Sequence, residues 1–138
     1  MKKIVLLGFL MIVLGFYLCQ SRVSYYIDTR KTLGVKLPLI YEIKEKGNLM
    51  MMETSSDTRY GVVLKIKDCS NFYGQLQMSS SVISLDSMNI EYVTPFFFRQ
   101  IGEDGILLAG KVKNDVAHYG LAYFDPESCL FYFDYSNL

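Results

Sequence analysis

Lys2 and Lys3 are followed by the uncharged apolar run IVLLGFLMIVLGFYL at residues 4–18. An unbroken apolar run after two lysines is typical of an export signal or a membrane anchor. The positive-inside rule keeps the lysines in the cytoplasm and places the following residues on the outer side of the membrane. We therefore expect three segments: a signal peptide or membrane anchor at 1–21, a juxtamembrane linker at 22–36 and an exported domain at 37–138.

Three fates of this run stay open. A spanning helix needs about 20 apolar residues, and the lower limit of roughly 17 is reached only if Cys19 and Gln20 are counted. A secretory signal has an apolar region of about 7–15 residues, and the small residues Cys19 and Ser21 allow cleavage after Ser21. The third fate is acylation of Cys19 as in a bacterial lipoprotein, although Tyr17 and Leu18 are bulkier than the residues that precede a lipoprotein cysteine. Each of these fates exports the rest of the chain. The remaining alternative is a core helix of a soluble protein, although a core helix that is apolar all round at the start of a short chain is unusual.

The composition indicates one strand-rich domain behind the apolar run. The 138 residues include 11 Tyr and 9 Phe but no Trp, and Tyr and Phe favour strands. Once Lys2 and Lys3 are left out, 12 of the 14 basic residues remain beside all 14 acidic residues. No basic patch builds up, so we expect no nucleic-acid partner.

The cysteines are Cys19, Cys69 and Cys129. If Cys19 stays in the membrane or is removed, the other two lie in an oxidising compartment, where disulfides persist. A Cys69–Cys129 disulfide would close a long loop and stabilise the domain. The alternative is a pair of buried thiols that act as small apolar side chains.

The rest of the chain shows the patterns of an α+β domain. Alternation predicts a strand at 39–44, with Leu39, Tyr41 and Ile43 on its buried face, and another strand at 60–67. The spacing of Phe72, Tyr73 and Leu76 predicts a short helix at about 70–78. Turn chemistry then separates three strands between 106 and 135. We expect an N-terminal hydrophobic helix, a mainly antiparallel sheet with one short helix, and a C-terminal β-meander.

The segment Phe96-Phe97-Phe98 is a candidate interface. Three adjacent Phe side chains cannot share one face of a strand or helix. Either both sides of the segment are covered by the core, or some aromatic surface is exposed and marks a contact site.

Few residues suggest catalysis or metal binding. The one histidine is His118, and a zinc site needs about four ligands. A Cys–His nucleophile would require His118 to meet Cys69 or Cys129, which a disulfide would prevent. Phosphate, calcium and dinucleotide motifs are absent from the sequence. We therefore expect no catalytic residue, no metal and no cofactor.

These patterns favour a non-enzymatic binding module in a bacterial cell envelope. It would be anchored by residues 4–18 or released after Ser21, and it would contact a protein partner, as immunity proteins and accessory subunits do. The alternatives are a structural subunit of a membrane assembly, held by the N-terminal helix, and a small-ligand binder or enzyme that uses His118.

Overall fold

The computed structural model describes residues 2–47, 59–84, 102, 104–112 and 118–137. Within these residues, two helices and five strands follow one another in the order α1 (Lys2–Leu33), β1 (Tyr41–Gly47), β2 (Arg59–Ile66), α2 (Cys69–Gln77), β3 (Ile106–Lys111), β4 (His118–Asp125) and β5 (Leu130–Asn137). The predicted α+β class, the short helix and the C-terminal meander are confirmed. The segment Phe96–Phe98 lies outside the described residues.

Helix α1 is the main departure from the predicted architecture. The stretch 22–36 is not a linker, because α1 continues unbroken to Leu33 and has 32 residues. At a rise of about 1.5 Å per residue it is roughly 48 Å long. The basic residues Arg30 and Lys31 lie in its last turn, where they complement the negative end of the helix dipole. Gly34 then ends the helix with a φ of 67°, as glycine does at a helix C-terminus.

The five strands form one antiparallel sheet with the order β1-β2-β5-β4-β3. β3, β4 and β5 make the meander, and β5 lies at the centre because β2 pairs with its other edge. The outer edge of β3 is partly paired: the Ile83 amide donates to the Leu107 carbonyl at 3.0 Å, and the Ala109 amide donates to the Ser81 carbonyl at 2.9 Å. β1 carries four charged side chains, Glu42, Lys44, Glu45 and Lys46, and charges on an edge strand discourage pairing with another chain.

Both helices pack on the same face of the sheet. Alternate strand residues point to this face, and together with the helices they form the larger core cluster, which includes Tyr25, Leu33, Val62, Leu64, Phe72, Leu76, Leu108, Phe124, Phe131 and Phe133. A smaller cluster on the opposite face contains Val63, Leu107, Leu121, Tyr123 and Tyr132. The domain core therefore begins inside α1, at Tyr25, rather than at residue 37.

Helix α2 is tied to the sheet by packing and by a disulfide. Phe72 meets Phe124 and Phe131 edge to face, with ring centroids 5.3 and 5.4 Å apart. The first residue of α2, Cys69, is bonded to Cys129 in the turn between β4 and β5, and their Cα atoms are 5.5 Å apart. The expected disulfide is thus present and joins α2 to the central hairpin.

Leu39 does not belong to a strand. β1 begins at Tyr41, and Leu39 is 89% exposed instead of facing the core. Pro38 precedes it, and a proline has no amide hydrogen to contribute to a strand ladder. The exposed Leu39 becomes part of the surface described next.

Candidate functional site

The first half of α1 presents apolar side chains to its surroundings on every side. Every residue from Leu6 to Tyr17 is exposed, and the large apolar side chains among them have between 51% and 76% of their surface uncovered. Soluble monomers rarely expose so large an apolar surface. Within the described residues, α1 is the one helix long and apolar enough to span a membrane. It is compatible with an anchor or a signal sequence.

The second half of α1 is built into the domain. Tyr25, Thr29 and Leu33 recur at every fourth position and are buried. The two threonines of this half satisfy their hydroxyl groups within the helix, since Thr29 donates to the Tyr25 carbonyl at 2.8 Å and Thr32 donates to the Asp28 carbonyl at 2.6 Å. One continuous helix therefore carries both the exposed apolar run and a part of the core.

An apolar surface lies where α1 enters the domain. We call Val23, Tyr26, Pro38, Leu39 and Ile40 the basal surface. Most of these residues, together with Arg22 and Tyr41, line a shallow depression of about 230 Å³. Leu39 and Ile40 are largely exposed. Exposed apolar residues grouped in this way are typical of a contact with lipid or with another molecule.

Two contacts hold the start of β1 against α1 at this level. The Tyr41 hydroxyl donates to the Arg22 carbonyl at 3.3 Å. The Arg22 guanidinium lies over the Tyr41 ring, 5.2 Å from its centroid, at a distance where a cation–π attraction operates. The basal surface is thus fixed relative to the helix axis.

A polar cleft lies on the same face of the sheet, farther along α1 toward the C-terminal end of this helix. It has a volume of about 120 Å³ and is lined by Asp28, Lys31, Val112, His118 and Tyr135. It presents a carboxylate, an ammonium group and an imidazole.

Tyr60 contacts two of the residues that line this cleft, Asp28 and Tyr135. Its hydroxyl donates to Asp28 Oδ2 at 2.6 Å, and its ring lies 5.3 Å from that of Tyr135. Burial, followed by the hydrogen bond to the Asp28 carboxylate and its charge, raises the pKa of the Tyr60 phenol well above its ordinary value. The protonated phenol is therefore the donor in its hydrogen bond to Asp28.

The cysteine and histidine residues that a Cys–His nucleophile would need are not brought together. Cys69 and Cys129 are joined to each other. His118 pairs with Asn137 at the open end of the β4–β5 hairpin, whereas Cys129 lies in its turn. Asn137 is eight residues after Cys129, and eight residues of strand span on the order of 25 Å. Neither sulfur lies near the imidazole.

The other predicted sites lie partly outside the described side chains. The backbone of Cys19 lies within α1, but its side chain is outside that set, as is the whole of Phe96, Phe97 and Phe98. Across the described ranges, no group of three or more His, Cys, Asp or Glu side chains is arranged to hold a metal ion.

The basal surface and the Asp28–Tyr60 pair were not predicted. Asp28 and Tyr60 are 32 positions apart in the sequence, so no local sequence pattern predicts that they pair. The buried positions 25, 29 and 33 do follow a helical spacing, and this signal was available in the sequence. It was obscured because a threonine occupies one of these positions.

Comparisons with family models, with curated proteins and with solved structures found no match to this chain.

Proposed function

We propose that this protein is a membrane-anchored, non-enzymatic binding module whose domain lies outside the cytoplasm of a bacterium and contacts another envelope protein. The observation that carries the proposal is that the two halves of α1 have different environments. Its first half is apolar and exposed, whereas its second half is buried in the domain.

The geometry of α1 suits an anchor that also positions its cargo. A hydrocarbon core of about 30 Å takes about 20 helical residues, and the helix continues without interruption to Leu33, where it is packed on the sheet. The domain would then be held at a fixed position and angle relative to the membrane. Such a placement favours contact with partners embedded in, or bound to, the same membrane.

Two observations support the outer side of the membrane as the location of the domain. Lys2 and Lys3 precede the apolar run, which by the positive-inside rule keeps the N-terminus in the cytoplasm. The Cys69–Cys129 disulfide is of a kind that persists in oxidising compartments.

Two alternatives each have one supporting observation. The fully exposed apolar half of α1 would also suit a structural subunit that packs against other membrane helices. The polar cleft beside His118 would suit a small-ligand binder.

A crosslinked affinity purification from host membranes tests the proposal. The tagged chain is compared with a variant whose residues 4–18 are replaced by an unrelated spanning sequence, and with His118→Ala. We expect all three to recover the same partner in a fixed ratio, because the domain makes the contact.

The other outcomes point elsewhere. Loss of the partner in the anchor-exchange variant alone would favour the structural subunit. A partnerless monomer in every sample would contradict the proposal. Loss of the protein's biological activity in a His118→Ala variant that still folds would favour the small-ligand binder.

A further inference from the structure

The apolar run at 4–18 is too short to cross a membrane alone. Its 15 residues extend about 22 Å along a helix, whereas the hydrocarbon core measures about 30 Å. Counted from Lys3, the outer boundary of that core falls about 20 residues along, near Val23. The part of α1 at which the domain begins therefore lies at the level of the lipid headgroups. The short apolar run is accommodated either by a thinner bilayer or by a domain that lies closer to the bilayer.

The basal surface lies at this level. Val23 lines the same depression as Pro38 and Leu39, and Val23, Leu39 and Ile40 are all exposed. Beyond the exposed polar residues Gln20 and Arg22, apolar side chains are thus exposed again on the domain itself.

The composition of this surface matches a membrane interface. Tyr26 carries an amphipathic ring of the kind that is enriched at headgroup level, and Arg22 can reach a lipid phosphate while its stem lies on apolar surface. Lys46, whose ammonium group lies 5.9 Å from the centroid of the Tyr25 ring, adds a second cation on the same side of the domain. Basic groups near a bilayer surface are attracted to anionic lipids.

We infer that the basal surface inserts Leu39 and Ile40 into the outer interface of the membrane that α1 crosses. The domain is then seated on the phospholipid surface rather than held above it. This inference rests on the proposed anchor and names lipid as the occupant of the surface.

Tryptophan fluorescence tests the inference, because the natural chain contains no Trp. Four full-length variants are reconstituted separately in phosphatidylethanolamine–phosphatidylglycerol vesicles with and without brominated acyl chains. Leu39→Trp and Ile40→Trp report on the basal surface, and Phe9→Trp reports on the spanning part of α1. Met78→Trp is the matched exposed control, since position 78 follows α2 and its neighbour Ser79 contacts the Leu33 carbonyl at the far end of α1.

We expect blue-shifted emission and loss of most of the signal with brominated lipid for Phe9→Trp, Leu39→Trp and Ile40→Trp. Quenching at positions 39 and 40 should be strongest when the bromines are near the headgroups, and at position 9 when they are near the bilayer centre. Met78→Trp should emit as in water and resist quenching.

The contradicting outcomes are distinct. Quenching at position 9 without quenching at positions 39 and 40 would overturn the inference and leave the anchor intact. Blue-shifted but unquenched emission at positions 39 and 40 would mean that protein covers the surface, which also overturns it. Lack of quenching at position 9 would overturn the anchor itself.

Discussion

Thr32 of α1 lies directly against Gly120 of β4: a β-carbon at position 120 would be 2.4 Å from the Thr32 hydroxyl oxygen and 2.9 Å from a ring carbon of Phe133. The register partner of Gly120 is Gly110 on β3, where a β-carbon would be 2.1 Å from the Thr32 carbonyl oxygen. Because neither glycine has a β-carbon, the C-terminal end of α1 can pack closely against β3 and β4 at this point. The fixed angle between helix and sheet depends on this contact.

Gly120→Ala should destabilise the domain by about 1–3 kcal/mol, because the buried helix end must move away from the sheet. The Thr32 hydroxyl cannot rotate away freely, since it donates to the Asp28 carbonyl. Urea unfolding of the detergent-solubilised chain measures the change. Gly74→Ala is the matched control: its β-carbon meets nothing within 4 Å, and alanine should stabilise α2 by up to about 1 kcal/mol. Equal effects of the two substitutions would contradict the close contact.

Tyr60→Phe should lower the free energy of unfolding by about 1–2 kcal/mol, because the half-buried Asp28 carboxylate loses a charge-assisted hydrogen bond. Tyr73→Phe is a suitable control, since its ring packs on Phe124 and is kept. Chemical denaturation of the two variants at pH 7 makes the comparison. A cost for Tyr60→Phe no larger than that for Tyr73→Phe would rule out a contribution from the Asp28 bond.

The raised pKa of the Tyr60 phenol predicts a loss of stability in alkali. Above the ordinary tyrosine pKa of 10.0, the unfolded chain releases this proton while the folded chain keeps it. The unfolded state then binds fewer protons, so the free energy of unfolding is intact below about pH 10 and falls as the pH rises further. The decline should be shallower in Tyr60→Phe. Identical slopes in both proteins would show that Tyr60 does not retain its proton.

Reduction of the disulfide should cost about 4 kcal/mol in the chain-entropy model, given the 60 residues that separate Cys69 from Cys129. The Cys69→Ser/Cys129→Ser double variant should unfold at a correspondingly lower denaturant concentration, and added reductant should not change it further. In intact cells, the two thiols should resist alkylation until a reductant is added. Alkylation of both without reductant would contradict an oxidising location.

The elements that local patterns encode were predictable. Alternation marks β2, and the turn residues Asp125 and Pro126 mark the tight connection between β4 and β5. Phe72 and Leu76 mark the buried side of α2 because they stand four residues apart. These signals depend on neighbouring residues alone, and so they survive without knowledge of the fold.

The elements that depend on distant residues were not predictable in the same way. Residues 22–33 look polar because Thr29 and Thr32 occupy buried positions, and only the helix backbone shows that their hydroxyls are satisfied there. Leu39 fits an alternating strand by spacing, yet Pro38 and the docking of Tyr41 onto Arg22 leave it outside the sheet. The basal surface exists only after α1 and β1 have packed together.

The central claim is that α1 is retained in the mature protein and joins the membrane to the domain core. It is tested by whether the purified protein still contains the N-terminal half of α1. The measurement is the intact mass, with N-terminal peptide mapping, of the tagged chain recovered from carbonate-washed host membranes. We expect a membrane-bound chain that still contains residues 4–21, with Cys19 unmodified. A soluble chain that begins at Arg22, or one that begins at an acylated Cys19, would contradict the claim.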